Sequence, residues 1–495
     1  MNAKKINGLS PNRRQILQIG SAAAGAALLT RKGLALPQAG GNSTTPLVVV
    51  FMRGGADALG FAAPASDPAA TSGQIVSDDH YVNQRPTISV PPPTSATDPR
   101  WVQTRTNLGT DQSGMALHPV ATASFGSAPS LADLMAQGEL AMAMGVSLEC
   151  SMGACANLKS HFFAQSQVER GASVGNNLSS GWLGRYVNSL GGLGVNALAH
   201  SARLPESLRG ASARSVAVPD VTDYLVPGAD FTAIPFSASV ETMNSNCGGA
   251  LGNSTPPPEH CSVTSSSFVA QLSLDDIYPL SGPFVQSGLF PPTGFGRLML
   301  RTAELLQFGP TAMPSLQLDT IFLNFPDDWD DHEQQGGFTG NFSDRLADLS
   351  RGLGAFFESM GGQQGASNYN LVVLSEFGRR VFENGTAGTD HGTGGVMLFM
   401  GKGIAQGQAA GKILWPSYRT FDPSNPTTTG LRSAGVLRNF NSDDEDLETD
   451  LDVRDLIGEV MVNALGMPLN QVFDANMGAN AVFPGRSAPV FQGLV

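Results

Sequence analysis

Five short runs of apolar residues constrain the fold more than any other feature of the chain. They are Leu47–Met52 (LVVVFM), Leu140–Val146 (LAMAMGV), Asp319–Phe325 (containing TIFLNF), Leu371–Leu374 (LVVL) and Val396–Met400 (VMLFM). Uninterrupted runs of this length fit strands covered on both faces. Helical patterns lie between several of them, at Ser130–Gln137, Leu158–Arg170 and Phe342–Met360. A further helix is expected over Asp452–Gly466, behind the acidic stretch Asp443–Asp452. Strands alternating with helices predict an α/β fold around a mostly parallel sheet. In such sheets ligands gather beyond the C-terminal ends of the strands. The polar residues that directly follow these runs are therefore the first candidates for a site.

The segment before the first run has a different character. Lys4, Lys5 and the pair Arg13-Arg14 precede a mild apolar run, Ile19 to Leu29, then Arg31-Lys32 and the small residues of Gly33 to Gly40. A charged start, a short apolar run and a small-residue zone make a signal peptide. The adjacent arginines resemble a twin-arginine (Tat) signal, although Asn12 and Ile16 stand where Ser or Thr and Phe are usual. A spanning helix needs roughly 20 apolar residues, more than this run holds. Residues 1–39 are thus expected to be a signal, cut after Ala35 or Ala39 and read by the Tat export machinery. The mature protein is expected to be periplasmic or secreted, with no stable membrane span. Residues 40–495 are expected to form one large domain with loop insertions near 90–115 and 225–290. The stretches Val90–Pro99, Asn253–Ser267 and Pro423–Thr429 read as surface loops.

Residues 1–39 hold six Lys/Arg and no acids, so their removal takes the formal charge from −13 to −19. Phosphates reward Lys and Arg, so a chain this acidic is not expected to bind nucleic acid. Four cysteines do not make a disulfide scaffold. Cys150/Cys155 and Cys247/Cys261 are local pairs that an oxidising compartment permits to close.

Five constellations can carry chemistry. Asp57 follows the first run, in Arg53-Gly54-Gly55-Ala56-Asp57. Glycines there allow unusual backbone angles and close approach of a ligand, which makes Asp57 a candidate metal ligand. A turn aspartate capping the next element would look the same. After TIFLNF comes Asp327-Asp328-Trp329-Asp330-Asp331-His332. Carboxylates this dense repel one another unless they are solvated or met by cations. Oxygen ligands with one imidazole suit a divalent metal, whether zinc, manganese, calcium or magnesium. Asp330 and His332 are the members expected to hold it, and an exposed acidic loop is the alternative.

Ser375-Glu376-Phe377-Gly378-Arg379-Arg380 follows the LVVL run. Glu376 can serve as ligand or base and Arg379 as an anion contact, or the two close a loop as an ion pair. Before VMLFM, Asp390 and His391 stand among glycines, a setting suited to metal ligation. Ser160-His161 opens an amphipathic stretch. A hydroxyl at a helix N-terminus can attack phosphate or sulfate, or simply cap the helix; His161 is a further site candidate. His118 precedes Pro119 in a segment approaching a helix, and His80, His200 and His260 are expected to be structural or exposed. The phosphate loop G-x-x-x-x-G-K-[ST] and H-E-x-x-H are missing from the sequence.

The motifs that carry these residues resemble the domain-of-unknown-function 1501 family. They are VVVFMRGGADAL (48–59), YVNQRP from Tyr81, Leu117-His118-Pro119, GELAMAMGV (138–146), SHFFAQSQVERG (160–171), GWLGRY (181–186), NFPDDWDDHEQQ (324–335), LSEFGRR (374–380) and GTDHGTGG (388–395). That family is similar to the alkaline phosphatase and sulfatase superfamily, which implies an α/β/α sandwich with one or two divalent metals at the strand ends. On that analogy Asp57 matches the first-strand ligand, Asp330 and His332 match a second-site pair, and Asp390 and His391 lie in the late histidine-bearing loop. The chain departs from the pattern at Ser375-Glu376, where Asp-His is expected, and at Asp331, where Thr is common. It also shows no plain nucleophile motif. The resemblance implies an exported hydrolase acting on a small anionic ester of phosphate or sulfate. The alternative is a non-catalytic exported protein that keeps the fold for binding or cell-surface assembly.

Overall fold

The computed structural model describes residues 45–65, 79–95, 97–105, 114–148, 158–172, 179–190, 196–210, 215–217, 287–312, 318–362, 368–402, 409–415, 437–441, 444–447, 449, 451–467 and 494. The expected signal, both cysteine pairs, the loops at 253–267 and 423–429 and nearly all of 225–290 lie outside the described residues. Among those described, no helix is long and apolar enough to cross a membrane.

Strands, in chain order, are β1 (Leu47–Met52), β2 (Ala62–Ala65), β3 (Trp101–Arg105), β4 (Gly114–Leu117), β5 (Leu140–Ser147), β6 (Ala197–His200), β7 (Ser215–Ala217) and β8 (Thr320–Asn324). There follow β9 (Asn370–Ser375), the two-residue β10 (Gly378–Arg379) and β11 (His391–Gly392), then β12 (Gly395–Gly401) and β13 (Ile413–Leu414). The last are β14 (Leu437–Asn441), β15 (Asp444–Leu447) and β16 (Leu451–Asp452). The main sheet runs β2-β4-β3-β13-β5-β12-β9-β1-β8-β6-β7, with β16 also on β5. All five apolar runs are strands, and they are the five contiguous strands β5-β12-β9-β1-β8 at its centre.

Parallel pairing joins β1 to β8 and β9, β6 to β7 and β8, and β13 to β3 and β5. β12 is antiparallel to both of its neighbours, so the sheet is mixed, though largely parallel. Within the expected 90–115 insertion, β3 and the start of β4 extend the sheet edge.

Side-chain alternation splits these apolar strands between two cores. Val48, Val50, Met52, Ile321, Leu323, Leu371 and Val373 pack on one face with Phe295 and Met299 of α4 (Gly294–Ala312) and Phe342, Leu346 and Phe356 of α5 (Asn341–Ser359). Leu47, Val49, Phe51, Phe322, Val372 and Leu374 pack on the other. There they meet Val168 of α2 (His161–Arg170), Leu183 of α3 (Trp182–Ser189) and Leu456 of α6 (Val453–Glu459). Helices cover both faces, which explains why the central strands carry no polar alternation. Ser130 caps a further helix, α1 (Leu131–Ala136), through a capping box with Asp133.

The register positions the site. Phe51 pairs with Asn324 and Met52 with Ser375. The chain therefore leaves β1, β8 and β9 at one level, as Arg53, Phe325 and Glu376. Antiparallel β12 begins at that same edge, with Gly395 opposite Val146 of β5.

Candidate metal centre

Close backbone approach brings the loops together at that edge. Gly54 has φ +106°, and a Cβ there would lie 2.0 Å from Asp328 Oδ1 and 2.4 Å from the Asp330 nitrogen. Only glycine fits such a position. A Cβ on Gly388 would sit 2.3 Å from the His332 carbonyl, so the late loop presses on the acidic one.

Three imidazoles and one carboxylate converge there. His332 Nε2 lies 3.0 Å from Asp330 Oδ1, His391 Nε2 lies 3.1 Å from the same oxygen, and the two ring nitrogens are 2.9 Å apart. His161, the first residue of α2, places Nε2 3.4 Å from Asp330 Oδ2. His161, Asp330 and His391 can hold a metal ion: one ligand atom from each lies within 4.8 Å of the other two.

The outer nitrogen of each ring fixes its tautomer. His391 Nδ1 is 2.7 Å from the Lys159 carbonyl, which can only accept, so Nδ1 carries the proton. His332 Nδ1 meets Asp390 Oδ1 at 3.2 Å and His161 Nδ1 meets Glu376 Oε1 at 3.0 Å. All three Nε2 atoms are thereby turned inward as donors to a cation. Lone pairs on His332 and His391, beside a carboxylate oxygen, repel one another unless positive charge lies against them. Donors of a first-row cation with bonds of about 2.1 Å stand roughly 3.0–3.4 Å apart, depending on geometry. The observed 2.9–3.4 Å separations fit that spacing.

With no cation present, an inner ring nitrogen that carries a proton donates to Asp330 instead. Hydrogen bonds to Asp330 and Glu376 push the His161 imidazole up to about 9, against burial. Burial would raise Asp330, but hydrogen bonds from His161, His391 and Arg379 pull it well below the usual carboxylate range. Asp390 is likewise raised by burial and lowered overall by Asn384 and His332.

The other expected site residues have different work. Asp57 is not brought to the cluster as a ligand. Arg85 grips both its oxygens, at 2.5 and 2.9 Å, and Gln335 Nε2 donates to Oδ2 at 2.6 Å. Arg379 is not a free anion contact either. It is 2% exposed and donates to the carbonyls of Gly54, Gly55, Thr389 and Trp329 and to Asp330 Oδ1. Glu376 is buried, accepting from the Gly54 N–H at 2.7 Å, the Ser375 hydroxyl at 3.1 Å and His161. Glu376 and Asp390 thus orient imidazoles. Ser160 occupies the N-cap of α2, exposed and without a capping hydrogen bond.

Sequence reasoning passed over Arg85, although it lies inside the YVNQRP motif, and Lys159. The Lys159 ammonium pairs with buried Asp446 of β15 at 2.9 Å while its carbonyl aims His391. His118 has structural partners. It is buried, accepts from Val120 N at Nδ1 and contacts the Gly337 carbonyl through Nε2.

Residues 310–433 match the family described as Protein of unknown function (DUF1501). The motif resemblance therefore holds for this segment. It carries Asp330, His332, Glu376, Arg379, Asp390 and His391; Asp57, Arg85 and His161 come from outside it. No curated protein and no solved structure matches the chain.

Proposed function

We propose that this chain is an exported, metal-dependent hydrolase of phosphate or sulfate esters, built on an alkaline phosphatase-like α/β/α sandwich. The observation that carries the reading is the convergence of three Nδ1-anchored imidazoles and Asp330 beyond the ends of β1, β8 and β9. His161, His332, His391 and Asp330 would hold the ion. Three nitrogens and one oxygen favour a first-row transition metal over calcium or magnesium. Such an ion supplies Lewis-acid polarisation of an ester oxygen and a more acidic water. Glu376 and Asp390 fix the ring tautomers, and Arg379 locks Asp330 from the buried side. Asp330, His332 and Asp390 keep 31%, 41% and 40% of their side chains in solvent, leaving an approach for substrate.

A second reading is a binding protein that retains the ion without turnover. It is favoured by Arg379, whose three nitrogens are spent on protein oxygens, and by Ser160, whose hydroxyl caps nothing. Elemental analysis of the purified protein, beside His391→Ala, and assays with 4-nitrophenyl phosphate and 4-nitrophenyl sulfate separate the two. Stoichiometric metal with hydrolysis supports the first reading, and metal without hydrolysis supports the second. Absence of metal after growth in zinc- and manganese-replete medium removes both.

A further inference from the structure

We infer that the centre takes one cation and not two, because Arg85 supplies a fixed guanidinium where a second ion would need Asp57. The inference rests on the single-ion site proposed above, and concerns the count that the superfamily resemblance leaves at one or two.

Three neighbouring aspartates differ in how their guanidinium partners hold them. Asp57 pairs with Arg85, Asp331 with Arg345 and Asp330 with Arg379. The first two pairs are sealed, with side-chain exposures of 3% and 0% for Asp57 and Arg85 and of 7% and 13% for Asp331 and Arg345. Only Asp330 keeps 31% of its side chain in solvent and also faces imidazoles. Arg85 is held in turn by the carbonyls of Val381, at 2.6 Å, and Arg380, at 2.8 Å. To release Asp57 for a metal, that guanidinium would have to leave its carbonyl partners unpaired in the interior, a costly exchange.

Charge balance gives the same count. A cation held by neutral imidazoles and Asp330 needs further negative charge nearby. Glu376 is buried at the site, and among the described residues no arginine or lysine pairs with it. Asp57 and Asp331 are already paired with guanidiniums, so a second divalent ion beside them would meet Arg85 and Arg345 as well as the ion at Asp330. Asp331 Oδ2 is buried without a hydrogen-bond partner. A single oxygen is too few to bind an ion alone.

The test is equilibrium titration of the chelator-stripped full-length protein with zinc and, separately, with manganese. Elemental analysis and X-ray absorption of the loaded protein accompany it. The expected result is one ion per chain and no metal–metal scattering at about 3.5–4 Å, the separation of paired catalytic ions. Asp57→Asn should keep one ion per chain at unchanged affinity while its melting temperature falls, whereas Asp330→Asn should lose the ion. Two ions in the wild type, one of them lost in Asp57→Asn, would overturn the inference and leave the hydrolase reading standing. No ion in the wild type would overturn both. The wild-type count decides even if Asp57→Asn fails to fold.

Discussion

Asp57 and Asp330 both stand just past a central strand, in acidic or glycine-rich loops, at the same edge of the sheet. Asp57 is sealed by Arg85 and Gln335, while Asp330 lies half open among three imidazoles. One carboxylate has become part of the scaffold and the other part of a centre. The difference lies in what reaches each from elsewhere in the chain: a guanidinium that stays, or ring nitrogens that can hold a cation.

The largest expected effect would break the scaffold side. Arg85→Ala leaves Asp57 buried without its charge partner, and removing one partner of a buried pair costs about 3–5 kcal/mol. Denaturant unfolding of the metal-free protein should show that loss; a change under 1 kcal/mol would mean that Asp57 is not sealed as described. Next comes the centre itself. His391→Ala should weaken zinc binding at least about 100-fold, the upper end of the 10–100-fold range for lost outer partners. It should cost little stability without metal, because it also removes the 2.9 Å contact between ring nitrogens. A variant that keeps wild-type affinity would show that His391 is no ligand.

Asp390→Asn sharpens the comparison further. It weakens the acceptor that orients His332 and should cost about 10–100-fold in affinity, read by competition with a chromogenic chelator. The smallest effect contrasts two imidazoles. Carboxylates raise His161, whereas burial pushes His118 below its ordinary value. For His118 the unfolded chain takes up the proton first as pH falls. Its contribution to stability is therefore present above about 6.5 and shrinks below it. His118→Gln should flatten the acid limb of the stability profile between pH 7 and 5, and an unchanged limb would contradict this.

The central strands were legible because burial on both faces writes itself as uninterrupted apolar runs such as LVVVFM and VMLFM. The strands that flank them were not, since Ala197–His200 and Ile413–Leu414 are too short for any period to show and gain their form from pairing. Reversal of β12 was hidden for a similar reason: VMLFM reads alike in either direction. At the site, Asp330, His332 and His391 were legible as donor types crowded after strands. The role of Asp57 was not, because nothing near it announces Arg85, and Arg379 looked like an anion contact until its carbonyl partners were in view. His161 was half legible, as a histidine opening a helix, but its distance from Asp330 in the sequence concealed that they meet.

The contact between Lys159 and the β14–β15 hairpin has a consequence for the order in which the molecule is finished. Every donor of the centre has been synthesised once residue 391 is made. The ring of His391 is nevertheless aimed by a lysine whose ammonium is anchored on Asp446, which emerges later. A nascent or clipped chain ending before the hairpin would hold all the ligands and still present one of them loosely. Acquisition of the ion would then mark completion of the chain rather than formation of its core.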